Sequence, residues 1–376
     1  MLVLVMVVSL CAFASADPIK VALITLHDEN STYDKNFIDG FKAACDACGV
    51  EGVIRSGVGE DQTAYDAACE LADEGCAVVF ADSYGHQPYI LEAAQEYPEV
   101  QFTSCTGDMA LSSDTENYHN AFASIYEGRY IAGVAAGLKL KEMIDAGEFT
   151  ASEAKVGYVG AMTYAEVKSG YTSWFLGVRS IVPEVTMEVV FTGSWYDETL
   201  EKEGAQKLIA NGCKLISQHA DSWGAPTACE EAGVPNVSYN GSTIDACPNT
   251  FIISSRIDWT PYFTYAIKAV QAGEAFDTDW CGNLETGSVV LTDVNEAVAA
   301  EGTAAKLEEV RASILDGSLK VFDCSTWTKD GKNLSSYTDS WGLNGAEAIE
   351  NGVFTESTLR SAPYFDIDID GITLLG

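Results

Sequence analysis

Short apolar runs alternate with helical patterns along almost the whole chain, and this alternation is the strongest constraint on its fold. The run at residues 76–80 is followed by a helical pattern at 88–96, and the run at 155–159 by a helical pattern that extends to residue 182. This alternation is typical of βαβ units, which pair their strands in parallel. Because 376 residues exceed one comfortable hydrophobic core, we predict an α/β protein with two lobes.

Polar and aromatic side chains come directly after several of these apolar runs. They are Asp82, Ser83 and Tyr84 after 78–80, Trp195 and Asp197 after 189–191, Asp221 after 214–216, and Asp258 and Trp259 after 252–253. If the runs are parallel strands, these side chains gather at the carboxyl ends of the strands, where open α/β sheets bind ligands. Aromatic rings that converge with carboxylates favour a flat ligand that forms hydrogen bonds.

The charge of the chain excludes one broad class of partner. Its formal net charge is −35, while 47% of its residues are hydrophobic and 20% are charged. The composition is that of a globular protein. A surface this acidic repels nucleic-acid backbones and anionic lipids, so we predict no nucleic-acid binding. We interpret the acidic residues as a solubilising exterior.

The first 16 residues have the pattern of a signal peptide. An apolar stretch precedes Ala14, Ser15 and Ala16, the small residues typical of a cleavage site, and it is too short for a comfortable membrane span. We therefore predict that the chain is exported and that the mature protein begins near Asp17. Lipid attachment through Cys11 is an alternative that the pattern leaves open.

Ten cysteines remain after the predicted leader. An even number in an exported protein favours disulfide bonds, although the sequence does not reveal the pairing. Cys45 and Cys48 form a CxxC motif late in a helical pattern. Because a redox-active CxxC cysteine needs the field of a helix N-terminus, we do not interpret this motif as a redox site.

Four blocks in the chain resemble a known family. They are residues 120–133 (NAFASIYEGRYIAG), 156–160 (VGYVG), 193–197 (GSWYD) and 217–222 (SQHADS). In this order they resemble the basic membrane protein family of ABC-transporter substrate-binding proteins, a group that includes purine nucleoside receptors. The similarity covers roughly residues 19–290.

The resemblance implies a type I periplasmic-binding-protein fold with two Rossmann-like lobes joined by a hinge of three crossover strands. On this basis we predict an amino-terminal lobe from 17–124 plus about 258–288. The carboxy-terminal lobe would then comprise 125–257 plus about 289–325, and residues 326–376 would form a tail packed on the surface.

The resemblance also implies a function without chemistry on the ligand: capture of a purine base or nucleoside and its delivery to a membrane permease. A monomer without cofactor or metal is implied as well. Carried over by position, Trp195 is the stacking candidate and Asp221 the candidate for hydrogen bonding to the base. The other predicted ligand-binding residues are Tyr33, Asp34, Ser83, Tyr84, Asn120, Met162, Asp258 and Trp259. The loop at residues 27–34 is longer and more acidic than is usual in the family, which leaves the choice of base or nucleoside open.

Several alternatives remain at this stage. Asp197 precedes a helical pattern and could be a helix cap. His219 and Asp221 could bind a metal in a secreted hydrolase that also uses His27, but no motif with metal-ligand spacing supports that interpretation, and a structural histidine is favoured. A sensory ligand-binding protein and a receptor for another small polar ligand, such as a sugar, are the other two alternatives.

Overall fold

A computed structural model describes residues 18–375, and the predicted leader with Cys11 lies outside these residues. The strands are β1 (Lys20–Thr25), β2 (Glu51–Ser56), β3 (Cys76–Ala81), β4 (Gln101–Cys105), β5 (Tyr118–Ala123), β6 (Lys155–Gly160), β7 (Thr186–Phe191), β8 (Leu215–Gln218), β9 (Asn236–Tyr239), β10 (Phe251–Ile257), β11 (Asp279–Gly282), β12 (Val289–Leu291), β13 (Ile349–Glu350), β14 (Val353–Phe354) and β15 (Ile372–Leu375). The α-helices are α1 (Thr32–Cys48), α2 (Gln62–Asp73), α3 (Gln87–Glu96), α4 (Ile125–Asp145), α5 (Ala165–Ile181), α6 (Glu198–Ala210), α7 (Gly224–Ala232), α8 (Thr260–Ala272) and α9 (Thr303–Leu315).

Two sheets form the centres of two lobes, as the alternating pattern predicts. The first sheet has the order β11-β5-β4-β3-β1-β2 and is parallel throughout. The second has the order β12-β10-β9-β8-β6-β7-β15, in which only β12 is antiparallel to its neighbour. Their strands are mostly buried on both faces, because helices cover the sheets.

The chain passes between the lobes three times: from β5 to α4, from β10 to α8, and from β11 to β12. Backbone hydrogen bonds tie these crossings together, with Ser124 N–H donating to the Gly282 carbonyl at 2.8 Å and Asp258 N–H to the Ser288 carbonyl at 2.8 Å. Short hydrogen-bonded crossings of this kind form a hinge about which two lobes can close.

The lobes also contact each other away from the hinge. Asn36 Nδ2 on α1 donates to the Asn240 carbonyl at 2.8 Å, and Thr32 Oγ1 donates to the Asp221 carbonyl at 3.2 Å. Asn36 and Thr32 belong to the first lobe, whereas Asn240 and Asp221 follow strands of the second. The structure therefore represents a closed arrangement of the lobes.

Helices α4 and α5 of the second lobe pack unusually closely, which the small residues of α4 allow. A Cβ atom on Gly133 would overlap the Trp174 carbonyl oxygen, and one on Gly177 would overlap the Tyr130 carbonyl oxygen. Glycine is required at both positions because each backbone lies against the other.

Residues 326–375 are built into the second lobe. Strand β15 pairs in parallel with β7 and extends the second sheet. The buried side chains of Trp327, Tyr364 and Phe365 belong to the large hydrophobic core, in which Phe365 stacks on Phe322 with ring centroids 4.3 Å apart. This segment therefore shares both a sheet and a hydrophobic core with the second lobe.

The ten cysteines that the structure describes are all free thiols, so the prediction of disulfide bonds is wrong for residues 18–375. The even count was misleading because most of these side chains fill apolar sites on separate elements, as small hydrophobic residues do. Burial raises the pKa of Cys45 to about 12 and that of Cys281 to about 11. Both thiols are therefore protonated near neutral pH.

Candidate ligand-binding site

A cavity lies between the lobes, at the carboxyl ends of strands from both sheets. The space between its lining residues, counted together with open solvent at its mouth, is about 380 Å³. The first lobe contributes Leu26, His27, Tyr33, Ser83, Tyr84 and Thr106, and the second contributes Glu166, Trp195, His219, Asp221 and Tyr239. Of the ten predicted ligand-binding residues, the cavity thus brings together Tyr33, Ser83, Tyr84, Trp195 and Asp221.

Tyr33 is held rigidly in the wall of the first lobe. Its hydroxyl donates to the Asp82 carbonyl oxygen at 2.6 Å and lies 3.2 Å from Thr106 Oγ1. Its ring packs at 5.0 Å from that of Phe37 on the same helix. Burial raises the pKa of Tyr33 well above its usual value, so the ring is neutral when it faces the cavity. It therefore offers a fixed aromatic surface.

Asp34 does not line the cavity but positions His27, which does. One Asp34 oxygen accepts the His27 backbone N–H at 2.7 Å, and the other lies 3.4 Å from His27 Nδ1. The hydrogen bond to Asp34 raises the pKa of His27. Burial alone would raise the pKa of Asp34, but hydrogen bonds from His27 and Ser31 outweigh it and lower the pKa. Asp34 is therefore an ionised support behind the site.

Trp195 and Asp221 are joined through the backbone of the second lobe. The Asp221 N–H donates to the Trp195 carbonyl at 3.0 Å, so the loops that follow β7 and β8 are held side by side. Glu201 on α6 fixes the same region, because its carboxylate accepts the N–H groups of Ser222 at 3.2 Å and Asp197 at 3.1 Å. An aromatic ring and an acid are thereby presented together.

Asp221 is the most strongly perturbed acid in the cavity. Its side chain is buried, and Asn240 Nδ2 donates to its Oδ1 at 3.0 Å. Burial, together with the nearby carboxylates of Asp34, Glu201 and Glu166, raises the pKa of Asp221 well above its usual value. A ligand that donates an N–H to this carboxylate would relieve the cost of burying its charge.

His219 and Glu166 form a pair in the wall that the second lobe contributes. His219 Nε2 lies 3.3 Å from Glu166 Oε1, and the His219 ring packs 4.8 Å from the Tyr239 ring. Burial lowers the pKa of His219, so its imidazole is neutral near pH 7. This placement agrees with a structural histidine that also contacts the cavity.

Arg129 lies behind the cavity and braces Tyr239. The guanidinium is 4.0 Å from the Tyr239 ring centroid and 5.4 Å from that of Tyr158, and its Nη2 donates to the Gln218 carbonyl at 2.8 Å. The side chain is fully buried, and burial lowers its pKa to about 10. A cation over the ring face holds Tyr239 in one orientation.

Four further predicted residues lie outside the cavity. Asn120 is buried within β5, where its Oδ1 accepts from Ala110 N–H at 2.6 Å and its Nδ2 donates to the Ser104 carbonyl at 3.1 Å. Met162 is half-buried in the loop after β6. Asp258 lies two residues before α8, and its Oδ1 accepts the Thr260 N–H at 2.9 Å. Trp259 stacks on Phe37 with centroids 4.3 Å apart in the core beside the hinge. Asp258 and Trp259 lie where β10 leads into the hinge crossing to α8.

The predicted ligand-binding residues did not include six that line the cavity: Leu26, His27, Thr106, Glu166, His219 and Tyr239. Tyr239 ends β9, whose sequence Asn-Val-Ser-Tyr is too short and too polar to stand out as an apolar run. Thr106 follows β4 in the left-handed backbone region, with φ of 64°, which nothing in its residue type indicates. Glu166 lies in the first turn of α5, and it lines the cavity because of the way the two lobes pack together.

The chemistry of the cavity is that of a binding site. Four tyrosine and tryptophan rings line it together with two acids, and no lysine or arginine does. Within residues 18–375 there is no group of three or more His, Cys, Asp or Glu residues that could hold a metal ion.

Asp197 accepts from the Leu200 N–H at 2.9 Å and is the N-cap of α6, as one of its two interpretations predicts.

Comparison with known proteins agrees with this architecture. The family described as "ABC transporter substrate-binding protein PnrA-like" (Bmp) matches residues 25–321. A protein of Brucella abortus (strain 2308) named as purine-binding is 28% identical over 294 residues, covering 77% of this chain and 80% of the relative. A Haloferax volcanii protein named "Putative ABC transporter glucose-binding protein TsgA13" is 30% identical over 270 residues, covering 72% of this chain and 65% of the relative.

Solved structures share the fold at low sequence identity. An ABC transporter solute-binding protein from Aeropyrum pernix K1 has a TM-score of 0.68 at 18% identity, covering 81% of this chain and 93% of its own. A solute-binding protein from Conexibacter woesei DSM 14684 has a TM-score of 0.64 at 23% identity, and the match covers 80% of this chain and 98% of that protein's chain. These likenesses confirm the predicted fold class. In the part of the chain that the structure describes, no helix combines the length and the apolar character needed to cross a membrane.

Proposed function

Because this chain belongs to the PnrA-like family of ABC transporter substrate-binding proteins, which are receptors and not enzymes, we propose that it captures a purine nucleobase or nucleoside. The ligand would lie in the cavity between the lobes and be delivered to a membrane permease. The observation that carries this proposal is the lining itself: aromatic rings from both lobes around a buried carboxylate. The purine-binding name of the Brucella abortus relative supports it.

The arrangement of rings suits a flat heterocycle. Tyr33 and Tyr84 belong to the first lobe, whereas Trp195 and Tyr239 belong to the second. A base placed between these walls can stack on rings from both sides, and stacking of a base on an aromatic side chain contributes about 1–3 kcal/mol. Because these contacts involve both lobes at once, ligand binding favours the closed state.

The polar groups of the cavity favour a neutral ligand that donates hydrogen bonds. Asp221 and Glu166 are acceptors when ionised, and a purine carries N–H groups that can donate to them. A phosphate would face these carboxylates, with Asp34 close behind, and no lysine or arginine among the lining residues. We therefore propose a base or nucleoside as the ligand rather than a nucleotide.

A sugar is the second candidate. The Haloferax volcanii relative is named as a putative glucose-binding protein, and rings with carboxylates can also bind a sugar. A sugar, however, presents several hydroxyls that each need a donor or an acceptor when buried, while much of this lining is aromatic carbon. The lining therefore favours the purine.

We propose that the protein acts outside the cytoplasm, where proteins of its family capture solutes for import. Titration calorimetry with adenine, hypoxanthine, guanosine, inosine and glucose tests the ligand directly. Heat of binding with at least one purine and none with glucose supports the proposal. Heat with glucose alone would replace the purine by a sugar, and no binding to any of the five would contradict both.

A further inference from the structure

We propose that the C-terminal segment, residues 326–375, is an interlobe latch that holds the cleft closed through Arg360 and forms part of the wall beside the ligand cavity. The segment lies outside the family match, which ends at residue 321. Its effect on lobe closure does not depend on which ligand the cavity binds. Only the binding assay below rests on the proposed purine function.

The segment is anchored on the second lobe. Strand β15 extends the second sheet beside β7, Lys168 Nζ on α5 lies 2.6 Å from Asp368 Oδ1, and Arg179 Nη1 donates to the Asp370 carbonyl at 3.2 Å. These contacts include a complete strand pairing and side chains of α5. The segment therefore moves with the second lobe when the cleft opens.

At its other side the segment reaches across to the first lobe. Arg360 Nη1 lies 3.4 Å from Asp108 Oδ2, and the two side chains are only 7% and 11% exposed. The Ser361 N–H donates to Asp279 Oδ2 at 2.7 Å. Asp279 is on β11, close to the hinge, whereas Asp108 follows β4 at the cleft. Of these two contacts, the Arg360–Asp108 pair is therefore the one that bridges the cleft itself.

Arg360 is preorganised for this contact by its own segment. Its Nε donates to the Ala362 carbonyl at 3.1 Å and its Nη2 to the Pro363 carbonyl at 3.2 Å, which leaves Nη1 for Asp108. The Trp341 ring lies 5.5 Å from the guanidinium carbon, at a distance that allows a cation–π contact. Little side-chain entropy is then lost when the pair forms.

The latch is connected to the ligand cavity through Tyr84. The Tyr84 hydroxyl lies 3.4 Å from Asp108 Oδ2, the same oxygen that faces Arg360. A side compartment of about 320 Å³ is lined by Trp341 and Arg360 together with Tyr84, Thr106 and Glu166, and the last three also line the main cavity. Ligand contacts with Tyr84 therefore act on the residue that contacts the Asp108 oxygen of the latch.

Removing one partner of the Arg360–Asp108 pair should shift the lobes toward the open state. In Arg360→Met, Asp108 loses its counter-charge but stays largely buried in the closed form, whereas opening would expose it to water. We expect Kd for the bound purine to rise about tenfold or more, with faster release. The double variant Asp108→Asn/Arg360→Met removes the unpaired charge of Asp108 and should recover part of the affinity that Arg360→Met loses.

Lys168→Met is the matched control, because it also removes one cation that pairs with the segment, but within the second lobe. Its Kd should stay within about twofold of the wild type. Calorimetry gives Kd, stopped-flow fluorescence gives the release rate, and thermal unfolding verifies that each variant is folded.

A readout without ligand separates this inference from the proposed function. Pulsed electron–electron double resonance measures the distance between two spin labels, one on an exposed site of each lobe. This distance should be longer in Arg360→Met than in the wild type, and unchanged in Lys168→Met. If Arg360→Met folds and neither the distances nor the release rate differ from the control, there is no latch. If the wild type binds no purine, the proposed function fails while the distances still test the latch.

Discussion

Asp221→Asn should weaken purine binding strongly without disturbing the fold. The carboxylate is 5% exposed and accepts a hydrogen bond only from Asn240 among the described side chains. Replacing one acceptor oxygen by an NH₂ group removes a charge-assisted hydrogen bond from the ligand, worth about 1.5–3 kcal/mol. This corresponds to a rise in Kd of about 10- to 150-fold, which titration calorimetry at pH 8 measures directly.

The same variant predicts a change in the pH dependence of binding. The raised pKa of Asp221 means that its carboxyl becomes protonated at a higher pH than an ordinary aspartate. A protonated Asp221 no longer offers a free carboxylate to a ligand N–H, so wild-type affinity should fall as the pH drops through that raised pKa. Asp221→Asn should lack this component, and comparison of the two proteins cancels the titration of His27.

Asp197→Asn is the control for this experiment, because Asp197 caps α6 outside the cavity and asparagine is an equally good N-cap. Its Kd should match the wild type. Asp221→Asn should unfold at a temperature no lower than the wild type, because it no longer buries a carboxylate. An unchanged Kd in folded Asp221→Asn would refute the assignment of this residue to the ligand.

Three further changes test the site and the fold. Trp195→Ala should remove a stacking surface worth about 1–3 kcal/mol and raise Kd for a purine about 5- to 150-fold in equilibrium dialysis; a value within twofold of the wild type would exclude stacking there. Gly133→Ala should destabilise the protein by about 1–3 kcal/mol in urea titration, because its Cβ would meet the α5 backbone, whereas Gly204→Ala on α6 has more room and should change stability less. Burial raises the pKa of Glu201 from 4.5 to about 7, so the folded protein holds this proton more tightly than the unfolded chain, and stability should fall by about 3 kcal/mol as the pH rises from 4.5 through 7. Urea titrations at pH 5 and pH 8 give the fall in the free energy of unfolding between these two pH values. This fall should be smaller in Glu201→Gln than in the exposed control Glu203→Gln, and equal falls in the two variants would contradict the pKa shift.

The sequence predicted the part of the site that follows directly from strand ends. Ser83, Tyr84, Trp195 and Asp221 come after apolar runs, and parallel pairing places the ends of such runs at the same edge of a sheet. Asp258 and Trp259 also follow a strand but do not line this cavity: Asp258 accepts the Thr260 N–H, and the Trp259 ring stacks on Phe37.

The cysteines and the C-terminal segment show a second kind of limit. An even count of cysteines carries no information about which side chains come within bonding distance, and all ten described thiols remain free. The composition of residues 326–375 gave no indication that they complete a sheet and place Arg360 against Asp108.

The sequence by itself determined the fold class and the family, because the period of the apolar residues and the order of four local blocks are properties of the chain alone. Only the tertiary structure decided which side chains share the cavity, since Tyr33 and Asp221 are 188 positions apart in the sequence and meet through closure of two lobes. It also decided the ionisation of the acids, because burial and neighbouring carboxylates raise the pKa of Asp221, and neither exists until the lobes are packed.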